Sequence, residues 1–262
     1  MFFSNLTELT MGQGYRRFFR VVPALSDALR AENYRIRHEV YCRDLGFEPL
    51  RSDSLEADDY DERSIHCLVQ SVSTGAYVGC ARLVLTDADT PQTPLPVEVT
   101  CAATLDRSLV EAMARDRSQI AEISRLAVVG NYRRRQGEQD RPISISDEDF
   151  GTETRPRQPY LALAVYLGMI SLARHYGIST LLVLTEPRLA TNLARLGVRF
   201  ERIGGDVHHR GVRFPSLMSV DEVIGGMNIL VRALFEIISR EIKEGIELAG
   251  QHAVRANHSP LP

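Results

Sequence analysis

The hydrophobic pattern changes period several times along the chain, and each change marks an element. Arg17 to Val22 is a short apolar run suited to a strand. Ser26, with Asp27 in the first turn behind it, caps a run of good helix formers that extends to about Asp44. Ile65 to Gln70 and Ala76 to Thr86 are β-rich and flank Ser73, Thr74 and Gly75, which predicts a hairpin. Leu105 to Arg115 reads as a helix and Glu122 to Val129 as a buried strand. Tyr160 to Tyr176 is a strongly apolar helix ended by Gly177, and Ser179 to Thr185 is a second buried strand. Pro187 to Leu196 has proline in the first turn and Gly197 past the end of a helix. Arg199 to Ile203 and Val207 to Val212 are short strands around the Gly204–Gly205 turn. Strands that alternate with helices after an antiparallel start predict an α/β (α+β) fold, a mixed sheet with helices on both faces.

Two stretches break this rhythm. Residues 136–159 are mostly polar with no sustained apolar period, longer than a structureless loop usually is, and read as an insertion or an active-site flap. From Asn228 to Ala249, Leu230, Leu234, Ile237, Ile238 and Ile242 recur near helical spacing, so this helix packs on the domain or on a partner. Its polar face mixes both signs, which argues against membrane contact. The expected organisation is one domain over residues 1–224, a C-terminal helix over 225–250 and a flexible tail over 251–262.

The chain has 262 residues, with 31 basic against 34 acidic side chains, a formal charge of −3 and 44% apolar residues. This is the balance of a soluble globular protein, and it argues against a nucleic-acid binder, whose domain is normally strongly basic. Cys42, Cys67, Cys80 and Cys101 stand singly, so a reduced compartment, the cytoplasm, is expected. The amino terminus lacks the charged start and apolar run of a signal peptide, and no stretch approaches a membrane span.

The chemistry concentrates in Asp53 to Glu62, which holds six carboxylates without an apolar period. Such a cluster cannot be buried without counter-charges. Arg37, Arg82 and Arg125 each lie inside an apolar-rich element, and arginine in a buried element demands a partner. The economical solution folds the acidic segment back over the sheet onto these three arginines, either as scaffold or in contact with substrate.

In order and in spacing, Arg37-x-x-Val40-Tyr41, Gly46-Phe47, Glu56-x-Asp58-x-x-Asp61, Gly79-Cys80-x-Arg82-Leu83 and Glu122-Ile123-Ser124-Arg125 resemble the charged motifs of the acyl-homoserine-lactone synthases. The later half carries Thr185-Glu186-Pro187, Arg195-Leu196-Gly197, Phe200, Ile203-Gly204 and Gly211 followed by Pro215. It is similar instead to N-acyl amino acid synthases and to the acyltransferases associated with exosortase and PEP-CTERM protein sorting. The resemblance implies a GNAT acetyltransferase-like fold. It also implies transfer of a long-chain acyl group from the phosphopantetheine thioester of acyl carrier protein, or from acyl-CoA, to the amino group of an amino acid or related small amine, with no tightly bound cofactor.

Thioester aminolysis needs a base, because an α-ammonium with a pKa of roughly 8 is mostly protonated at neutral pH. Glu122 is the first candidate and Glu56 the second. Arg37, Asp58, Asp61, Arg82 and Arg125 match the family's charged set and are carried over as binding or scaffold residues. Ser124 alternates in direction with its neighbours. Oxyanion donors are expected from the backbone N–H groups of the Arg125 to Val129 strand, and acyl-phosphopantetheine contacts from Leu126, Ala127, Val128 and Val129. Coenzyme A users of this fold place a glycine-rich turn after the central strand. Here Arg134-Arg135-Gln136-Gly137 keeps one glycine, which favours a carrier protein docked on Arg133, Arg134 and Arg135. His208 and His209 lack further ligands at metal spacing, so no metal is expected. The rival readings are a lactone-signal synthase using S-adenosylmethionine and a non-catalytic acyl-binding partner of an envelope sorting system.

Overall fold

The computed structural model describes residues 14–113, 116–132, 151–152, 155–156, 160–195 and 197–257. In chain order these give β1 (Phe19–Pro23), α1 (Asp27–Arg37), β2 (Ser64–Ser71), β3 (Tyr77–Leu85), α2 (Pro96–Thr100), α3 (Arg107–Met113) and β4 (Ile120–Val128). There follow the two-residue pair β5 (Gly151–Thr152) and β6 (Arg155–Pro156), then α4 (Tyr160–His175), β7 (Thr180–Thr185) and α5 (Pro187–Arg195). The chain ends with β8 (Glu201–Arg202), β9 (Val207–His208), β10 (Val212–Ser219), α6 (Val220–Gly226) and α7 (Ile229–Asn257).

The main sheet runs β1, β2, β3, β4, β7, β10, β8, with β9 also on β10. Every pairing is antiparallel except β4 with β7, where Ile120–Ile123 lie beside Thr180–Val183. Apolar residues on one face of the sheet meet α4, which is buried from Leu161 to Ala173. The approach is close: a Cβ on Gly168 would lie 2.9 Å from the Cys67 sulfur. Phe235 and Ile238 of α7 join the same core, and each such side chain contributes about 1.5–3 kcal/mol by burial. The other face carries α1 and a smaller core in which α2 covers Val84, Ile120 and Leu182 through Leu95, Val97 and Cys101. The expected mixed sheet with helices on both faces is therefore present.

The boundaries differ from expectation where a local signal was overridden. Ser26 caps α1 as expected, but the helix widens at Arg37 and continues as a π-helix over His38–Asp44. The helix expected over Leu105 to Arg115 begins only at Arg107 and is preceded by the unanticipated α2. Gly204 and Gly205 do not turn a hairpin. They pack against Thr104 and Leu105, and a Cβ on Gly204 would sit 2.7 Å from the Thr104 carbonyl. The flanking residues pair instead with β10, a strand obscured by Pro215, which removes a ladder donor. Pro215 is tolerated because the Ile203 carbonyl that its missing N–H would meet accepts from the Asp106 N–H at 2.9 Å instead, while the Ile203 N–H still reaches the Pro215 carbonyl at 3.0 Å. The last helix continues to Asn257, past the tail boundary expected at 251. Among the described residues no helix is long and apolar enough to cross a membrane.

Candidate active site

The acidic segment folds back over the α1 face of the sheet and meets the buried Arg37 and Arg82 and the half-buried Arg125. It is locally organised by Asp58, which caps the 3₁₀ turn Asp59–Arg63 through the Tyr60 N–H, while Asp61 accepts from the Asp58 N–H at 2.8 Å. This reciprocal box points the carboxylates inward. Arg37, fully buried, donates to Glu56 and, at 2.6 Å, to Asp61. Arg82 takes Asp58 on two nitrogens and Asp61 at 2.8 Å, with its Nε on the Ser124 hydroxyl at 3.0 Å. Burial alone would raise the Asp61 and Glu56 pKa values, but the adjoining arginines outweigh it and hold both below the ordinary carboxylate range.

Strand β4 is bulged opposite β3: Arg82 pairs with Ser124 and Cys80 with Ala127, so β4 carries one extra residue there. Arg125 absorbs the bulge with φ +53°. Ser124 and Arg125 consequently do not alternate as a flat strand requires. Ser124 reaches Arg82, which the acidic segment holds, and Arg125 touches Asp58 at 3.1 Å and Glu56 at 3.2 Å of that segment and Glu48 at 3.1 Å. Beyond Ile123 the pairing of β4 with β7 ends. The Val129 N–H is used by the Val78 carbonyl, which removes it from the expected oxyanion donors. By strand alternation, Leu126 and Val128 turn their backbone groups into the opening beside β7. The Leu126 carbonyl there accepts from the Tyr41 hydroxyl at 2.8 Å, and burial, as the largest cause, pushes that phenol up to about 12.

The opening leads to a cavity of about 260 Å³ between the acidic segment, α2, β4, β7 and the β9–β10 hairpin. Glu122 lines it at only 3% exposure. One carboxylate oxygen accepts the Val97 N–H at 2.7 Å, and no arginine among the described residues is bonded to it. Burial raises its pKa to about 8, with the Val97 hydrogen bond and the charges of Arg82 and Arg125 opposing.

Asp58, Arg82, Ser124, Arg125 and Leu126 also line the cavity, whereas Arg37 and Asp61 support it from beneath. Glu56, expected as the second base, is not among the residues that line the cavity. Its two oxygens are held by Arg37 and Arg125 at 1% exposure, which keeps it ionised and away from the cavity. Ala127 and Val128 lie buried on β4 beyond the bulge. Arg133, Arg134 and Arg135, and most of 136–159, lie outside the described residues. Among the described residues no three metal-ligating side chains converge.

Sequence reasoning missed the opposite wall. Tyr166 of α4, Thr185, Glu186, His209, Arg210 and Arg213 all line the cavity. Arg210, at φ +55°, reaches back to Glu48, and Arg213 pairs with Glu186 at 3.2 Å. Burial lowers the His209 pKa, with Arg210 and Arg213 assisting. The one available signal was the arginine spacing in His209-Arg210-Gly211-Val212-Arg213, hidden by the missed strand β10.

Residues 36–140 match the model of the acetyltransferase (GNAT) domain family. Among solved structures, the chain is similar to TofI in a ternary complex with an inhibitor and MTA, at 19% identity and TM-score 0.55 over 86% of this chain and 99% of that one. It is similar to MesI, a CoA-dependent acyl-homoserine lactone synthase, at 18% identity and TM-score 0.51 over 83% and 93% of the two chains. FeeM, an N-acyl amino acid synthase from uncultured soil microbes, aligns at 14% identity and TM-score 0.51 over 81% and 96%. No curated protein matches the sequence. These likenesses show the fold, a GNAT-like mixed sheet spanning most of the chain.

Proposed function

We propose that this chain, built on the GNAT fold, is an N-acyltransferase. It moves a long-chain fatty acyl group from the phosphopantetheine thioester of acyl carrier protein to the amino group of an amino acid or related small amine. The observation that carries the reading is Glu122, a buried carboxyl group beside the point where β4 and β7 part, with one oxygen on a backbone N–H and a pKa raised to about 8. A base matched to an α-ammonium of roughly the same pKa transfers the proton without a large uphill step.

The reaction then balances simply. Glu122 takes one proton from the ammonium, and the freed nitrogen lone pair attacks the thioester carbonyl carbon. Backbone N–H groups beside the opening, with Val128 the best placed by alternation, receive the oxyanion. Collapse breaks the carbon–sulfur bond. The nitrogen gives up its second proton as the thiolate takes one, leaving an amide, a free pantetheine thiol and one proton released. The paired acids and arginines do not react. They fix Ser124, Arg125 and the bulge, and so keep the strands apart.

The resemblance of MesI, described as CoA-dependent, keeps acyl-CoA as a second donor to be tried. A carrier protein is expected to meet Arg133, Arg134 and Arg135 through its acidic surface, and charge reversal there should weaken it in a salt-dependent way. The test compares lipid extracts and purified reactions of wild type and Glu122→Gln by mass spectrometry. A new N-acyl series and thiol release, both lost in the variant, support the reading. No product with any amino acid, or equal product from both proteins, overturns it. Stabilisation by S-adenosylmethionine in preference to free amino acids would move the acceptor to the adenosyl donor of the lactone-signal reading.

A further inference from the structure

Glu122 owes its surroundings to α2. By register it stands between Val84 of β3 and Leu182 of β7, and α2 closes over that strip of the sheet through Leu95, Val97 and Cys101. The same helix supplies the Val97 N–H, the carboxyl's one hydrogen bond among the described residues. What dries Glu122 and what orients it therefore both depend on where five residues sit. A helix that short has no stability of its own and is held by its neighbours.

The main tie is a buried fork. Arg117 lies in the 3₁₀ turn Arg117–Gln119 directly before β4, where its carbonyl accepts from the Thr86 hydroxyl at 2.7 Å. Its side chain crosses to α2. Nη1 and Nη2 take both oxygens of Glu98, at 2.8 and 2.6 Å, and Nε donates to the Pro91 carbonyl at 2.6 Å, so every guanidinium nitrogen is used. Glu98 in turn accepts the Leu95 N–H at 2.7 Å, closing the first turn of α2. Only 5% and 10% of the two side chains are exposed, so this two-pronged contact fixes position as a surface ion pair does not. Arg63 adds a second tie, to the Pro94 carbonyl at 2.9 Å, but it holds the segment ahead of the helix.

We propose that Arg117 and Glu98 are positioning residues for Glu122: their fork fixes α2, and α2 fixes where the carboxyl points and how dry it is kept. The inference rests on the acyltransfer reading above, in which Glu122 is the base, and extends it to two residues that do not line the cavity.

The sign of the expected effect separates this role from simple charge. Arg82 and Arg125 favour the ionised form of Glu122 and Glu98 opposes it, while burial pushes the Cys101 thiol of α2 up to about 11. Across the cavity stand Asp58, Tyr60, Glu186, His209, Arg210 and Arg213. Arg117→Gln leaves all of these in place. Deleting a cation would by itself raise the Glu122 pKa, whereas a loosened α2 admits water and lowers it, because desolvation is the largest cause of the shift.

The test follows the Glu122 carboxyl carbon by NMR in glutamate-labelled protein, its signal identified by its loss in Glu122→Gln. Wild type should titrate near pH 8 and Arg117→Gln about one unit or more lower. Arg117→Lys, which keeps the charge without the fork, should fall between. Glu98→Gln, which keeps the Leu95 cap through its amide oxygen, should also titrate lower. Tyr15→Phe, which removes a hydrogen bond to Glu241 of α7, controls for lost stability and should titrate as wild type does. In turnover the acid limb of kcat/KM should follow the same order, with its plateau in Arg117→Gln down about tenfold. An unchanged or raised midpoint in Arg117→Gln, or in Arg117→Lys should the first variant not fold, overturns the proposal and leaves acyltransfer intact. Midpoints that fall as expected in a protein that transfers no acyl group, or whose turnover survives Glu122→Gln, support the positioning and sink the acyltransfer reading.

Discussion

Glu56 and Glu122 are the same side chain at nearly the same burial, 1% and 3% exposed, on the same side of one sheet, yet they are driven to opposite protonation states. Glu56 sits between Arg37 and Arg125, and their charges overcome desolvation and lower its pKa. Glu122 has a single backbone N–H, and desolvation wins. Burial therefore does not decide what a carboxylate does; the number and charge of its donors do. Glu56, Asp58 and Asp61 form a closed network with Arg37, Arg82 and Arg125 in which each of the three carboxylates is answered, and so it is suited to holding shape. The β4 floor is an open site in which one carboxyl is left able to exchange a proton.

The sharpest way to break this contrast is catalytic. Glu122→Gln should keep the Val97 hydrogen bond through the amide oxygen while losing the base, lowering kcat by about 10²–10⁴-fold. Wild-type kcat/KM should rise with pH until Glu122 is ionised near pH 8, and the limb should vanish in the variant. Rate measurements across pH 6 to 9.5 with a saturating acyl donor check both. An unchanged profile would return Glu122 to the scaffold.

The converse experiment is structural. Glu56→Ala leaves Arg37 buried and without one of its two carboxylate partners, and removing one partner of a buried pair costs about 3–5 kcal/mol. Glu122→Gln, by contrast, should be neutral or stabilising at pH 8, because it replaces a group whose ionisation the fold opposes. Urea unfolding of both variants reads the difference directly. Equal losses would mean that Glu122 also anchors the fold.

These two roles were not equally legible in the sequence. The requirement that Arg37, Arg82 and Arg125 be answered, with six carboxylates waiting in a segment that has no apolar period, was enough to draw the network before any coordinates. The bulge at Arg125 was not. Nothing in Ser-Arg-Leu signals a left-handed arginine, and period-two reasoning put Ser124 and Arg125 on opposite faces. The wall formed by Thr185, Glu186, Arg210 and Arg213 was invisible for a different reason. Its residues are gathered by β10, and Pro215 made that segment look like the end of a sheet. Long-range pairing around a proline is a tertiary decision, taken where Asp106 supplies the N–H that Pro215 lacks.

Stability against pH sharpens the comparison further. Glu122 has a folded pKa of about 8 against an ordinary 4.5, so the folded state binds the extra proton between those values and stability falls as pH rises through them. His66, 1% exposed with neither ring nitrogen hydrogen-bonded, behaves oppositely: burial, with the charges of Arg37 and Arg82 assisting and Asp61 opposing, lowers it from 6.5 to about 4. The unfolded chain binds the extra proton there, and about 3 kcal/mol is lost as pH falls from 6.5 to 4. His66→Leu should flatten that acid limb, and Glu122→Gln should gain on wild type between pH 4.5 and 8. Thermal midpoints over pH 4 to 8 separate the two, and parallel curves for all three proteins would refute both assignments.

The smallest predicted effect concerns the seam between the two regions. Tyr41 leaves the π-helix that follows Arg37 and donates to the Leu126 carbonyl at 2.8 Å, just past the bulge. Tyr41→Phe keeps the ring beneath Arg125, whose guanidinium carbon stands 5.6 Å from its centroid, and removes only the hydroxyl. The Leu126 carbonyl then loses its partner, at a cost of about 1 kcal/mol if the opening beside β7 is dry when empty. Water entering the opening would replace the bond and leave stability unchanged. Urea midpoints for Tyr41→Phe with and without a saturating acyl thioester distinguish these states. A loss that appears only with the thioester bound would mean that the donor arm expels the water, leaving the Tyr41 hydroxyl to satisfy the Leu126 carbonyl just past the bulge.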